Sequence, residues 1–301
     1  MTANTSCFLE FDSANTHNPC APYAVLPVPY ERTVSYGKGT GSAPSAILRA
    51  SEQLELFDEE LFCRIDTAVQ TLEAPDCDSG TEKTVMARIY EAASGVLAGQ
   101  RFLMALGGEH SISSALVRAA AEHVPDICVL HIDAHADLRD AYEGNALSHA
   151  SVMRRIADIP VDIVHVGIRS LSEEDYGVIK AEKRRVFWAR DIVNAGDFSW
   201  INDVVEALGR NVYISLDIDA LDTSLAPGTG TPEPGGLRWY ECLKLLRGVC
   251  SARNVVAADI VEVMPIPGSF VSEFTAAKLA SKIMMYHKHK PAAPERKTGG
   301  F

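Results

Sequence analysis

Strand-length apolar segments alternate with helix-patterned segments along almost the whole of this chain, and that alternation narrows the possible folds more than any other feature. The apolar runs lie at 23–30 (YAVLPVPY), 64–72 (RIDTAVQTL), 101–106 (RFLMAL), 127–133 (ICVLHID), 162–168 (DIVHVGI), 185–189 (RVFWA), 211–217 (NVYISLD) and 254–263 (NVVAADIVEV). Between most of them apolar positions recur at helical spacing, as in SISSALVRAAAEHV, SHASVMRRIADI, WINDVVEALG and LRWYECLKLLRGVC. Strands with unbroken apolar runs are buried on both faces, and a helix between consecutive strands closes a right-handed crossover. The expectation is an α/β domain with a mainly parallel sheet of eight strands, covered on both sides by helices. With 301 residues and 47% hydrophobic content the chain can fill such a core. No Pro/Gly/Ser linker divides it, so 23–286 reads as a single domain. Residues 1–22 lack periodicity and are expected to be loosely ordered, and the polar, proline-bearing tail 287–301 to be disordered.

Polar residues of one chemical kind gather where the strands stop. LMAL runs into GGEHS (107–111), VLHI into DAHADLRD (133–140), VYIS into LDIDALD (216–222), and VAADI into VEVMP (261–265). Open parallel sheets bind ligands outside the carboxyl ends of their strands, and all four segments open onto that edge. The stretch HIDAHADLRD (131–140) packs three aspartates and two histidines into ten positions. Carboxylates that close repel, and burying one uncompensated charge costs several kcal/mol, so a bound cation is expected there. In extended backbone residues i, i+2 and i+4 share a face, which groups Asp133, His135 and Asp137, and likewise Asp217 with Asp219. A lone DxD is commonly a solvated turn. A DxHxD that closes a buried strand, joined by a DxD and by His110 after a glycine pair, is a specific sign of a metal centre. Four carboxylates and two imidazoles without thiolate favour Mn²⁺ over cysteine-bound zinc, and six donors exceed what one four-coordinate ion uses, which fits two ions sharing carboxylates.

The charge balance, Lys+Arg 28 against Asp+Glu 40 for a net −12, argues against nucleic acid or an anionic membrane as partner and suits a small cation. Seven cysteines form no CxxC pair, which reads as free thiols in a reducing compartment. No window approaches the ~18 apolar residues of a membrane span, and no signal-like segment opens the sequence, so a cytoplasmic location is expected.

Taken in order and spacing, GGEHS, DAHAD, SLDIDALD and DIVEVMP resemble the ureohydrolases, the arginase and agmatinase family of binuclear manganese enzymes, over about 23–286. The resemblance implies a three-layer α/β/α sandwich around an eight-stranded sheet. It further implies two Mn²⁺ per chain: one held by His110, Asp133, Asp137 and Asp217, the other by His135, Asp133, Asp217 and Asp219, with Asp133 and Asp217 bridging. His149 in SHAS is by resemblance a proton shuttle, and trimers or hexamers are implied. DLRDAYEGNALSHAS (137–151) and APGTGTPEPGGL (226–237) look agmatinase-like: the Asn that arginases carry two positions after the last Asp of DAHxD is here Arg139. Two departures stand out. Ala43 replaces the glycine usual before the proline, and PIPGSFVSEF (265–274) lacks the aspartate that many agmatinases carry after the glutamate.

The chemistry can be stated without the family. A guanidinium carbon is a poor electrophile that water barely attacks, and a divalent metal lowers the pKa of water from 15.7 to about 7. Asp137 would accept the proton and pass it to the leaving amine, and Glu262 would pair with the guanidinium N–H groups. Thr231, in the proline-rich segment read as a rigid site wall, and Arg139 are further candidates for contact with the substrate; Arg139 is expected to be neutralised by Asp140 or Glu143. Ser111, Ser113 and Ser114 read as helix caps, His131 and His165 as core or supporting residues, and His123, His287 and His289 as solvated. The leading reading is hydrolysis of agmatine to urea and putrescine. Alternatives are a sibling activity on guanidinobutyrate or arginine and a non-catalytic metal-binding relative, which the intact donor set disfavours. A zinc deacetylase of related fold is disfavoured by the missing His pair.

Overall fold

The computed structural model describes residues 7–9 and 18–290. The rest of the two segments expected to be loose, 1–6, 10–17 and 291–301, lies outside the described residues. Ten strands are present among the described residues: β1 Tyr23–Val28, β2 Phe57–Asp58, β3 Cys63–Arg64, β4 Val69–Thr71, β5 Phe102–Gly107, β6 Ile127–Ile132, β7 Asp162–Ile168, β8 Arg185–Trp188, β9 Asn211–Asp217 and β10 Asn254–Val261. Eight of them form one sheet in the order β4-β1-β5-β10-β9-β6-β7-β8. Every pairing in it is parallel. The apolar run at 64–72 does not make one strand. Asp66 and Thr67 interrupt it: Cys63–Arg64 pairs antiparallel with Phe57–Asp58 in a small separate ribbon, and only Val69–Thr71 reaches the sheet edge.

Nine α-helices connect the strands among the described residues: α1 Ala43–Ser51, α2 Glu82–Ala98, α3 Ser113–His123, α4 Val152–Ala157, α5 Glu173–Glu182, α6 Ala189–Asn194, α7 Trp200–Ala207, α8 Trp239–Ala252 and α9 Val271–Lys288. None is long and apolar enough to cross a membrane. Strand side chains alternate between two cores. Val25, Met104, Leu130 and Ile214 pack with Ile47 of α1, Val204 of α7, Leu243 of α8 and Ile283 of α9. Leu26, Leu103, Val129 and Tyr213 pack on the other face with Ile89 of α2, Leu116 of α3, Met153 of α4 and Ile179 of α5. This is the three-layer sandwich, and every residue of β5 and β6 is buried, which explains their unbroken apolar sequences.

Two local expectations are corrected. α3 starts after Ile112 with no side-chain cap; the Ser111 hydroxyl instead donates to Glu109 (2.5 Å) and that of Ser114 to the Ser111 carbonyl (2.8 Å). A short 3₁₀ turn, His110–Ile112, precedes the helix and takes up the chain reversal that a cap would have marked. His287 is not solvated, because α9 runs on to Lys288 and lays its last turn across β1 and β5. The Tyr23 hydroxyl lies 2.8 Å from His287 Nδ1, and the imidazole packs 4.7 Å from the Phe102 ring. Burial lowers its pKa to about 4. His123 and His289 are exposed as expected.

Candidate metal centre

The strands whose ends carry the candidate residues, β5, β10, β9 and β6, are four consecutive neighbours at the middle of the sheet. Segments more than a hundred residues apart in sequence therefore meet at one edge. After β5 the chain turns through Gly108, where an added Cβ would lie 2.0 Å from the Tyr30 carbonyl oxygen; only glycine permits that approach. The turn delivers His110 to the sheet edge, with 1% of its surface exposed.

His110 Nδ1 faces Asp133 Oδ2 at 3.1 Å, Asp137 Oδ2 at 3.3 Å and Asp217 Oδ2 at 3.5 Å, yet makes a hydrogen bond to none of them. Its other nitrogen, Nε2, lies 2.9 Å from Ser215 Oγ, which donates to Asp259 Oδ1 (2.9 Å), while Tyr213 donates to Asp259 Oδ2 (2.7 Å). With the serine proton given to the carboxylate, Ser215 accepts from Nε2–H, which in the neutral ring leaves the Nδ1 lone pair pointing at three carboxylate oxygens. A lone pair surrounded by anionic oxygens is a place for a cation. A second group lies beside the first: His135 Nδ1 is 2.9 Å from Asp219 Oδ2 and 3.6 Å from Asp133 Oδ1. Asp133 thus turns one oxygen to each histidine. Asp217 approaches His110 through Oδ2, and its Oδ1 accepts the Asp219 amide (2.8 Å). Potential ligand atoms of His110, His131, Asp133 and Asp137 lie within 4.8 Å of one another, as do those of Asp133, His135 and Asp219. The donor set therefore fits divalent metal.

Electrostatics point the same way. Burial opposes a charged His135, but Asp219 and Asp133 outweigh it and push its pKa up to about 12. His110 is likewise raised against burial, by Asp133, Asp137 and Asp217. Burial, with Asp219 and Asp133 adding to it, holds the Asp217 carboxyl well above the usual carboxylate range. Burial and neighbouring Glu109 raise Glu262 to about 8. Asp133 alone goes the other way: burial opposes its charge, but His131, His110 and His135 outweigh burial and hold its carboxyl well below the usual range. A cluster that draws protons onto His110, His135, Asp217 and Glu262 is short of positive charge, which bound cations would supply.

Strand alternation is not what groups the aspartates. β6 ends at Ile132, and Asp137 turns back to His110 through left-handed backbone (φ 53°); Asp219 sits in a 3₁₀ turn, Ile218–Ala220, beyond β9. Glu262 too has positive φ (61°), a conformation uncommon outside glycine and frequent at functional sites. That kink aims its carboxylate back over the sheet edge, where Oε1 accepts the His110 amide (2.6 Å).

A cavity of about 230 Å³ opens over the cluster, bordered by His110, His135, Asp137, Asp217, Asp219 and Glu262, and by Arg139, Tyr142, His149 and Thr231. All the residues expected at the site thus line it except Asp133, which is fully buried beneath. Among the described residues Arg139 pairs with no acid. Arg155 occupies Asp140 (2.9 Å), and the Arg139 guanidinium lies instead over the Tyr142 ring, 5.4 Å from its centroid. His131 supports the site, as expected, with Nε2 2.7 Å from Asp133 Oδ2 and Nδ1 2.9 Å from His165.

The residues the sequence reading passed over act behind the cluster. Asp259, wholly buried, was detectable as the lone acid in the apolar run of β10. Glu109 lies within GGEHS, where its neighbour His110 drew the reading, and Arg169 left no local signal. Arg169 donates to the carbonyls of Asp219 and Glu233 (2.6 Å each) and of Pro234 (3.1 Å), tying the Asp219 turn to the proline-rich wall.

The Arginase family model matches residues 21–286. The N(1)-aminopropylagmatine ureohydrolase of Synechocystis sp. is 38% identical over 296 residues, 95% of each chain. The agmatinase of Bacillus cereus is 35% identical over 249 residues, covering 79% of this chain and 82% of that one. Among solved structures, the agmatine ureohydrolase of Thermoplasma volcanium superposes with a TM-score of 0.81 at 29% identity, over 94% of both chains.

Proposed function

The chain belongs to the arginase family of ureohydrolases, metal-dependent hydrolases of guanidino C–N bonds, and from that premise we propose that its substrate is a guanidino compound with an amine-bearing tail. Compounds of the agmatine or N(1)-aminopropylagmatine kind would be cleaved to urea and the corresponding amine. The observation that carries the reading is the His110 Nδ1 lone pair set before three carboxylates under a cavity that Glu262 and His149 also line. His110, Asp133, Asp137 and Asp217 would hold one ion, and His135, Asp133, Asp217 and Asp219 the other. Manganese suits this oxygen-rich donor set. Two such ions would supply a nucleophile by lowering the pKa of a water molecule to about 7.

The other roles fall to side chains of this chain. Glu262 Oε1 is anchored by the His110 amide, which leaves Oε2 to take guanidinium N–H groups and hold the carbon over the cluster. Asp137, beside the first group, accepts the proton of the attacking water and returns it to the leaving amine. His149 exchanges protons between the cavity and solvent. Its replacement by Ala is expected to lower kcat by roughly 10²-fold with metal content and KM kept. Thr231 and Arg139 meet the substrate tail. Cys20, Cys63, Cys77, Cys128, Cys242 and Cys250 are free thiols, which supports a cytoplasmic location; trimers or hexamers would show in sedimentation.

A second reading has one observation in its favour. Arg139, unpaired with any acid among the described residues, borders the cavity and suits a carboxylate tail such as that of 4-guanidinobutyrate. Comparing kcat/KM for agmatine, N(1)-aminopropylagmatine, arginine and 4-guanidinobutyrate under equal Mn²⁺ loading separates the two. The amine-tailed substrates are expected to lead. A lead for guanidinobutyrate that vanishes in Arg139→Ala replaces the first reading by the second, and no urea from any of the four removes both.

A further inference from the structure

We infer that Thr33 and Glu109 form a positioning pair that sets the tautomer of His149, so that Nε2 is the ring nitrogen that exchanges protons with the site; the inference rests on the shuttle role given to His149 above. Glu109 is fully buried between Gly108 and His110. Its Oε2 accepts the backbone amides of Arg32 (2.9 Å) and Thr33 (2.7 Å), and its Oε1 accepts the hydroxyls of Ser111 (2.5 Å) and Thr33 (2.8 Å). Four donors match the four acceptor positions of an ionised carboxylate, which makes this buried charge tolerable. A carboxylate only accepts, so the single hydroxyl proton of Thr33 is committed to Glu109.

Thr33 Oγ1 can then offer only its lone pairs, and both of its remaining contacts are with His149. It accepts the His149 backbone amide at 3.0 Å and lies 3.2 Å from the ring nitrogen Nδ1. An oxygen that has given up its proton requires a donor opposite, so Nδ1 carries the hydrogen in the neutral imidazole. The basic lone pair is left on Nε2, at the end of the ring turned away from Thr33. The ring of Tyr142, edge-on at 5.8 Å between centroids, restricts the alternative of a flipped imidazole. A shuttle that takes and returns a proton at one nitrogen is disabled by the wrong tautomer even when its position is unchanged. The glutamate that orients it is adjacent in sequence to His110, so one turn after β5 aligns both the metal cluster and the proton path.

The test uses Thr33→Val, which keeps the shape and removes the hydroxyl, and Thr33→Ser, which keeps the hydroxyl. Thr33→Val is expected to lower kcat about 10- to 100-fold, within the range of general acid–base assistance, while KM and bound Mn²⁺ stay as in wild type. Thr33→Ser is expected to restore most of the loss. Placed on His149→Ala, Thr33→Val is expected to add nothing, because the pair acts through that ring. Independently of activity, long-range ¹H–¹⁵N spectra of the full-length, metal-free, histidine-labelled protein report the tautomer directly. Wild type should show a protonated Nδ1 and a bare Nε2 for His149, and Thr33→Val a mixture. Equal losses in the Val and Ser variants, a further loss on top of His149→Ala, or a wild-type spectrum with the proton on Nε2 each overturn the inference. An unchanged kcat in His149→Ala removes the shuttle instead and leaves the tautomer to be judged by the spectrum alone.

Discussion

Replacing Arg169 by Met should unfasten the turn that carries Asp219 while leaving the sheet intact. The guanidinium stands just beyond β7 and donates to the carbonyl oxygens of Asp219 (2.6 Å), Glu233 (2.6 Å) and Pro234 (3.1 Å), with longer contacts to Gly167 (3.3 Å) and Leu221 (3.4 Å). A hydrogen bond from a charged donor contributes roughly 1.5–3 kcal/mol when buried, and a partly exposed one nearer 1 kcal/mol. Three short bonds at the lower figure predict a loss of about 3 kcal/mol, since methionine can fill the volume but cannot satisfy a carbonyl. For a chain of this size that corresponds to a fall in Tm of about 5 °C, measurable by calorimetry alongside urea unfolding. The Asp219 carboxylate faces His135 at 2.9 Å from the same turn, so Mn²⁺ retention after dialysis should fall as well. Arg169→Lys offers a point charge rather than a fork and should recover less than half of the loss. A Met variant within 0.5 kcal/mol of wild type that retains its metal, or a Lys variant as stable as wild type, would refute the reasoning.

Asp217→Asn tests the charge shortage of the cluster. Because burial and its acidic neighbours hold the Asp217 carboxyl well above 3.8, its stabilising effect is full below 3.8 and is lost as the pH rises through the raised value. Metal-free Asp217→Asn should therefore be more stable than metal-free wild type at neutral pH, by about 1 kcal/mol or about 1.5 °C in Tm, and added Mn²⁺ should no longer raise its Tm; a Tm below that of the metal-free wild type contradicts this. His287 should impose an acid limb. With its pKa lowered from 6.5 to about 4, the unfolded chain takes up the proton first, so stability falls between those values and levels off below them. The ceiling is about 3 kcal/mol, which partial exposure reduces to about 1 kcal/mol, and a His287→Gln variant that kept the same pH dependence of Tm would exclude His287 as its source.

Local pattern was enough for the layers and for the family. The central strands announce themselves by largely apolar runs that end in polar residues, because a strand buried on both faces admits few polar groups before its carboxyl end reaches water. Residue type likewise pointed to a cation, since Asp and His in place of Cys favour a hard divalent ion. The interrupted run at 64–72 shows the limit: its composition is that of a strand, but Asp66 and Thr67 split it into two pieces that pair with different partners.

Tertiary structure decided what depends on partners far away along the chain. The order β5-β10-β9-β6 makes four strand ends into one site, and no local propensity encodes which strand lies beside which. The left-handed backbone at Asp137 and Glu262 turns two carboxylates inward where an extended reading had relied on alternation, and non-glycine residues hold such angles only when the surrounding fold enforces them. Arg139 met the ring of Tyr142 rather than Asp140, because Arg155 from α4 reached that aspartate first. Asp259, Glu109 and Arg169 likewise became part of the site only through Ser215, Thr33 and the Asp219 carbonyl, 44, 76 and 50 residues away. A hydrogen bond has a direction and a reach of about 3 Å, and contacts of that kind exist only once the sheet has brought the segments together.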